Sequence, residues 1–320
     1  MNKIRNFGTV NYCCVFFLIL SLFSCQSHKV SDKNYQTKYV ITLVIDGPRY
    51  SETWGDPSHQ YIPRMDSIMA AQGIINEKFY NLGPTYTASG HVAMTTGFYQ
   101  EINNGGLELP AYPSIFQHWI NKMPNQSSDA WIITSKDKLA VLANCKDQNW
   151  IGKYLANTNC GVNGLGTGYR HDSITFQIVM DKLAQYHPRL LLVNFREPDY
   201  SGHLGNWDSY LAGIKNTDEY AYQIWNFIQN DPVYKDKTTL FITNDHGRHL
   251  DNVGDGFISH GDNCTGCQHI NFFACGPDFK KDIVLNRERS LVDIHATIKE
   301  LLHLHNSQTS GEVMSELFKD

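Results

Sequence analysis

Four short segments hold residues able to do chemistry: Val44-Ile45-Asp46-Gly47, Glu197-Pro198-Asp199-Tyr200-Ser201-Gly202-His203, Thr243-Asn244-Asp245-His246-Gly247 and Ser259-His260-Gly261. Carboxylates mixed with imidazoles suit a divalent ion such as zinc, and manganese or iron is also compatible. Taken singly, each has an ordinary explanation. An Asp before Gly is usually a turn residue, and a lone histidine usually sits on the surface or satisfied in the core. Their coincidence is what points to a site. A fifth segment, Thr87-Ala88-Ser89-Gly90-His91 followed by Thr95-Thr96-Gly97, offers a hydroxyl. Threonine is a weak nucleophile until its proton is removed, and coordination to a dication supplies that activation without a general base.

These residues need elements to position them. Lys38 to Ile45 is a β-branched apolar run that stops at Asp46-Gly47, as expected of a strand buried on both faces with a loop at its carboxyl end. Similar runs recur at Ala130 to Thr134, Leu190 to Phe195, Thr239 to Thr243 and Ile270 to Cys275, and helix-like stretches lie between them, as at Asp172 to Tyr186 and Tyr210 to Gln229. The alternation predicts an α/β fold, doubly wound, with a largely parallel central sheet and helices on both faces. Ligands of such sheets bind beyond the carboxyl ends of the strands. Asp46, Asp199 and the Asp245-His246 pair fall just there.

Of the 320 residues, 42% are hydrophobic and 18% charged, which suits one large core. A formal charge of -5 and a pI near 6.3 disfavour a nucleic-acid polymer as partner. At the N-terminus, Lys3 and Arg5 precede an apolar run from Val15 to Leu20 that continues through Leu22 and Phe23 to Ser24-Cys25. That is a signal-peptide pattern, and Leu22-Phe23-Ser24-Cys25 resembles a bacterial lipobox. The expectation is a lipoprotein signal peptide over 1–25, lipidation of Cys25, a polar tether over 26–37 and a catalytic domain over 38–320. The mature protein would then work in the periplasm or at the cell surface, held to a membrane by its lipid. Beyond Cys25 there remain Cys145, Cys160, Cys264, Cys267 and Cys275. Cys264-x-x-Cys267 lacks the partners of a structural zinc site, and a local disulfide or a Cys145–Cys160 bridge is the ordinary expectation.

From about Tyr39 to Pro277 the motifs together resemble the alkaline phosphatase superfamily, in particular its threonine-nucleophile branch of nucleotide pyrophosphatase/phosphodiesterases and phosphate monoesterases. The resemblance implies that one metal is held by Asp199, His203 and His260, and the other by Asp46, Asp245 and His246 with Thr87 bound to or beside it. His269 is the rival to His260. It also implies two divalent ions, zinc by ligand type, and Thr87 as the nucleophile at the head of a helix, where backbone N–H groups favour an anion. Ser135-Lys136-Asp137-Lys138 resembles the stretch with which threonine-type monoesterases grip non-bridging phosphate oxygens, although Lys138 stands where that pattern has arginine. Asn103 and Asn104 could donate to the phosphate, or simply make a turn with Gly105-Gly106.

The activity implied is hydrolysis of a small phosphorylated substrate, first of all a monoester, because extra cations favour its higher charge. A phosphodiesterase or nucleotide pyrophosphatase is the alternative. A non-catalytic metal-binding surface lipoprotein is the remaining one. The sequence does not specify the oligomeric state.

Overall fold

A computed structural model describes residues 33–320, of which Asn34–Asp320 form one compact unit. The expected signal peptide, Cys25 and most of the tether lie outside the described residues. The folded body starts a few residues before Lys38. Tyr35 is buried and its hydroxyl donates to Glu300 Oε1 at 2.7 Å, while Thr37 donates to Asp278 Oδ2 through its N–H (2.9 Å) and its hydroxyl (2.6 Å).

Eleven strands are described: β1 Tyr39–Asp46, β2 Ile74–Asn76, β3 Phe79–Tyr80, β4 Ala130–Thr134, β5 Asn157–Cys160, β6 Leu190–Pro198, β7 Thr238–Thr243, β8 His269–Ile270, β9 Phe272–Cys275, β10 Ile283–Leu285 and β11 Arg289–Ser290. Eight form the main sheet in the order β10-β2-β9-β7-β1-β6-β4-β5, and β11-β3-β8 form a small second sheet. The main sheet is parallel except for β9, which runs antiparallel to both β7 and β2. The helices are α1 Thr87–Thr96, α2 Ile115–Lys122, α3 Asp172–Tyr186, α4 Asp199–His203, α5 Trp207–Asn230, α6 Thr265–Gln268 and α7 Leu291–Leu301.

Alternation along β1 explains why helices cover both faces. Val40 and Val44 point into a core shared with α1, α2 and α7, whereas Ile41, Leu43 and Ile45 point into a second core shared with α3 and α5. The run expected as one strand from Ile270 to Cys275 is split instead. Ile270 belongs to the small sheet and Phe272–Cys275 to the main one. No long crossover helix separates β7 from β9, so the chain doubles back and pairs antiparallel. β5 escapes sequence reading because it is a four-residue edge strand of mostly polar composition.

Candidate two-metal and nucleophile site

The strands β7, β1, β6 and β4 are adjacent and parallel, so their carboxyl ends deliver neighbouring loops. In register, Val44 pairs with Thr243 and Asp46 with Pro198, while Thr134 pairs with Asn194. Asp245-His246, Asp46, Asp199 and Lys136 therefore meet on one edge, at the strand ends where ligands of such sheets bind. The turn after β1 requires Gly47: its φ is +66°, and a Cβ there would stand 3.0 Å from Asp199.

Two overlapping groups of donor atoms, each within 4.8 Å of one another, result: Asp46, Asp245 and His246, and Asp199, His246 and His260. His246 donates its Nδ1–H to Gly247 O (2.9 Å), which leaves Nε2 as the lone-pair atom. That Nε2 lies 3.5 Å from Asp245 Oδ2 and 3.6 Å from Asp46 Oδ1. His246 Nε2 and Asp245 Oδ2 are both buried without a hydrogen-bond partner, although buried polar atoms are normally satisfied. A cation between them would satisfy both, so the donor set fits a divalent ion. On the other side, His260 donates Nδ1–H to Thr85 O (2.7 Å), and its Nε2 stands 3.4 Å from Asp199 Oδ1 and 3.1 Å from His203 Nε2. His203 sits at the half-exposed rim, 3.3 Å from Asp199 Oδ1. His269 lies elsewhere, on Glu77 O and stacked on Tyr50.

Thr87 opens α1 and is buried. Lys136 Nζ reaches Thr87 Oγ1 (3.1 Å), Asp46 Oδ1 (2.8 Å) and Asp199 Oδ2 (2.6 Å). Lys138 Nζ donates to Asn104 Oδ1 (3.1 Å), which also accepts the Ala88 N–H at the head of α1 (2.9 Å). Asn104 is thus brought beside the nucleophile helix. Asn103 is exposed and turns its Oδ1 onto the Gly105 N–H.

The charges are unevenly compensated. Burial, then the Asp245 charge, pushes the Asp46 carboxyl well above the usual carboxylate range. Burial would also raise Asp199, but Lys136, His260 and Arg248 together hold it well below. Burial would lower Lys136, and Asp199 with Asp46 outweigh it, keeping the ammonium protonated. Burial, then Lys136, brings Lys138 down to about 8. Burial also lowers His203 to about 4 and His246 to about 3, so both are neutral, ligand-ready imidazoles at pH 7.

Three contributors were not visible in the motifs as such. Arg248 is buried, ion-paired to Asp199 Oδ1 and bonded to Ile258 O (2.5 Å); its place right after Asp245-His246-Gly247 was the available signal. Asn194 donates to Asp46 Oδ2 (2.9 Å) from inside β6, where nothing in the apolar run marks it. Asp172 accepts from the Arg196 and Glu197 N–H groups and from Ser135 Oγ, joining the ends of β6 and β4. The expected disulfides are absent: Cys145, Cys160, Cys264, Cys267 and Cys275 are all free. Cys160 Sγ instead faces Ile132 O within the sheet, at 3.7 Å.

Comparison with known proteins agrees with this architecture. The chain is similar over 88% of its length to mouse ectonucleotide pyrophosphatase/phosphodiesterase 5, covering all of that chain at 16% identity with a TM-score of 0.61. It is also similar to the phosphonate monoester hydrolase of Silicibacter pomeroyi (11% identity, 87% of this chain and 76% of that one, TM-score 0.60). Among curated proteins, a 2,3-bisphosphoglycerate-independent phosphoglycerate mutase of Gracilaria tenuistipitata var. liui is 30% identical over 120 residues, which is 37% of this chain and 22% of the mutase. The model of the metalloenzyme superfamily matches residues 89–306, more than half of the sequence. The chain belongs to the metalloenzyme superfamily and carries the fold of the metal-dependent hydrolases of the alkaline phosphatase superfamily.

Proposed function

We propose that this chain is an exported two-metal phosphoesterase, acting on phosphate monoesters through a phosphothreonine at Thr87. The observation that carries the reading is the placement of Thr87 Oγ1 at a helix head, 3.1 Å from the Lys136 ammonium and beside a cluster with unsatisfied donors at Asp245 and His246. Asp46, Asp245 and His246 would hold one divalent ion, and Asp199, His260 and His203 the other. When bound, such a pair supplies Lewis-acid activation of the nucleophile and of a water, and offsets charge on the entering and leaving oxygens.

The chain's own residues do the remainder. Lys136 is protonated and cannot serve as a base; its Nζ donates to Oγ1 and stabilises the threonine oxygen, whose proton passes to solvent water. That oxygen attacks phosphorus, the ester oxygen leaves and takes up a proton, and water then breaks the phosphothreonine to return Thr87 and inorganic phosphate. The α1 N-terminus directs backbone N–H groups at the anion. Lys138 and Lys136 add two cations to the pocket, which favours the more highly charged monoester.

One observation favours a diesterase as second reading: Tyr86 is partly exposed beside His260, with ring centroids 5.9 Å apart, and could stack on a leaving group. Comparing kcat/KM for p-nitrophenyl phosphate and its matched diester, before and after chelation, decides between them. Higher diesterase kcat/KM would displace the monoesterase reading, and activity indifferent to chelation would remove both. Export and lipidation at Cys25 rest on the N-terminal pattern of charged, apolar and lipobox-like segments.

A further inference from the structure

Cys264-x-x-Cys267 takes no part in the chemistry above, and the fold brings it partners that the sequence spacing hides. One donor atom from each of His249, Asp262, Cys264 and Cys267 lies within 4.8 Å of the others. We propose that these four side chains form a third metal site, separate from the catalytic cluster, which takes a structural divalent ion of zinc's kind.

Two thiols, an imidazole and a carboxylate make a four-donor set, half of it sulfur, of the mixed kind that zinc takes. Tetrahedral bonds of this kind put neighbouring donors roughly 3.4–3.8 Å apart, so closing on an ion needs movements of about an ångström. The thiol of Cys267 is buried, Cys264 is half-buried and Asp262 is at the surface, which places one thiol inside and the carboxylate outermost.

The histidine is oriented as a ligand. Ser259 Oγ–H donates to Asp255 Oδ1, so Ser259 Oγ must accept from His249 Nδ1–H at 3.1 Å. The Nδ1 proton is thereby fixed, with the carboxylate-backed support that metal-ligating histidines use. His249 Nε2 is left facing Asp262 Oδ2 at 3.1 Å, an arrangement that needs a proton or a cation between the two atoms. Backbone N–H groups point at the other donors: Cys267 N–H at Cys264 Sγ (3.4 Å) and Cys264 N–H at Asp262 Oδ1 (2.9 Å). On binding, both thiols release protons to solvent, the ion keeps its oxidation state, and the site carries a single net negative charge.

The segment from Gly247 to Gln268 has only short turns of helix, yet it carries Arg248 and His260. Gly247 N–H on Cys267 O (2.8 Å) and His249 N–H on Ser259 O (3.1 Å) already tie it. An ion joining His249 to residues 262–267 would brace this loop and hold His260 in place. The competing fate is a Cys264–Cys267 disulfide.

The test is cobalt substitution of the full chain. Catalytic donors are all nitrogen and oxygen, so a thiolate-to-cobalt charge-transfer band reports this site alone. We expect that band, one metal equivalent beyond the catalytic pair, and loss of both in Cys264→Ser and Cys267→Ser. Should the buried Cys267→Ser not fold, Cys264→Ser and His249→Gln give the same readout, and the band of the unaltered protein requires no variant. No band with free thiols, or a mass lower by two hydrogens showing a disulfide, would overturn the proposal. Because the readout is sulfur ligation, its failure is distinguishable from failure of the phosphoesterase reading.

Discussion

Lys136→Met is the perturbation that tests the electrostatics of the site most directly. The ammonium is buried, 2.8 Å from Asp46 and 2.6 Å from Asp199, and with Arg248 it offsets part of the charge of the buried cluster of Asp46, Asp199 and Asp245. Methionine keeps the volume and removes the charge. Deleting one partner of a buried ion pair costs about 3–5 kcal/mol. At about 2 °C per kcal/mol for a domain of this size, the metal-stripped variant should melt roughly 6–10 °C below the unaltered protein. A divalent ion on the same carboxylates takes over the compensation, so the difference should shrink to a small fraction at saturating zinc. By linkage the variant should also bind zinc more tightly, by about a hundredfold or more if the stripped protein loses 3 kcal/mol. Monoesterase kcat/KM should nevertheless fall, by about ten- to a thousand-fold, because the donor to Thr87 Oγ1 is gone. Calorimetric melting of stripped and loaded protein, zinc titration and p-nitrophenyl phosphate kinetics measure the three quantities. Equal destabilisation with and without zinc, together with unchanged zinc affinity, would refute the reasoning.

Thr87→Ala should lower kcat by on the order of 10⁴ or more while the protein stays folded and metallated, checked by turnover and elemental analysis; near-normal turnover would sink the nucleophile assignment. Lys138→Ala should reduce monoesterase kcat/KM by about tenfold and diesterase kcat/KM much less, and an equal loss on both substrates would favour the diesterase reading. Burial lowers His295 to about 3, its ring nitrogens engaging Thr95 O and Ser307 Oγ. Below pH 6.5 the unfolded chain binds this proton and the folded one does not, so stability should fall by about 2 kcal/mol from neutral pH to pH 5, and His295→Gln should flatten that slope in urea titrations. Cys25→Ala should release the protein from the membrane fraction; labelling by a fatty-acid analogue that survives the substitution would rule the anchor out.

The candidate site was legible where chemistry coincides with a strand end. Asp46, Asp199 and Asp245 each lie at or a few residues beyond the end of an apolar run, and the parallel order β7-β1-β6-β4 makes those ends neighbours. Helix α3 was readable, its helix-like stretch from Asp172 to Tyr186 matching the range it adopts. What escaped depends on tertiary placement. Asn194 looks like any strand residue until β1 lies beside it. Arg248 is an ordinary charge until Asp199 needs a partner. His249 and Asp262 sit 18 and 5 residues from Cys267 only by a loop path, and no local spacing rule joins them. β5 and β10 are short edge strands whose pattern is too weak to mark them.

The position of β1 between β6 and β7 has a bearing on how the protein is made. The first strand of the domain cannot acquire its first lateral neighbour until residues 190–198 have been synthesised, nor its second until residues 238–243, and His260 comes later still. Contacts of such long sequence separation form late and slowly. An emerging chain therefore presents an unpaired first strand and no assembled cluster for most of its synthesis. Its ions are captured in whichever compartment the last third of the chain folds, and the metal supply of that compartment, more than intrinsic preference among first-row dications, sets what the finished protein carries.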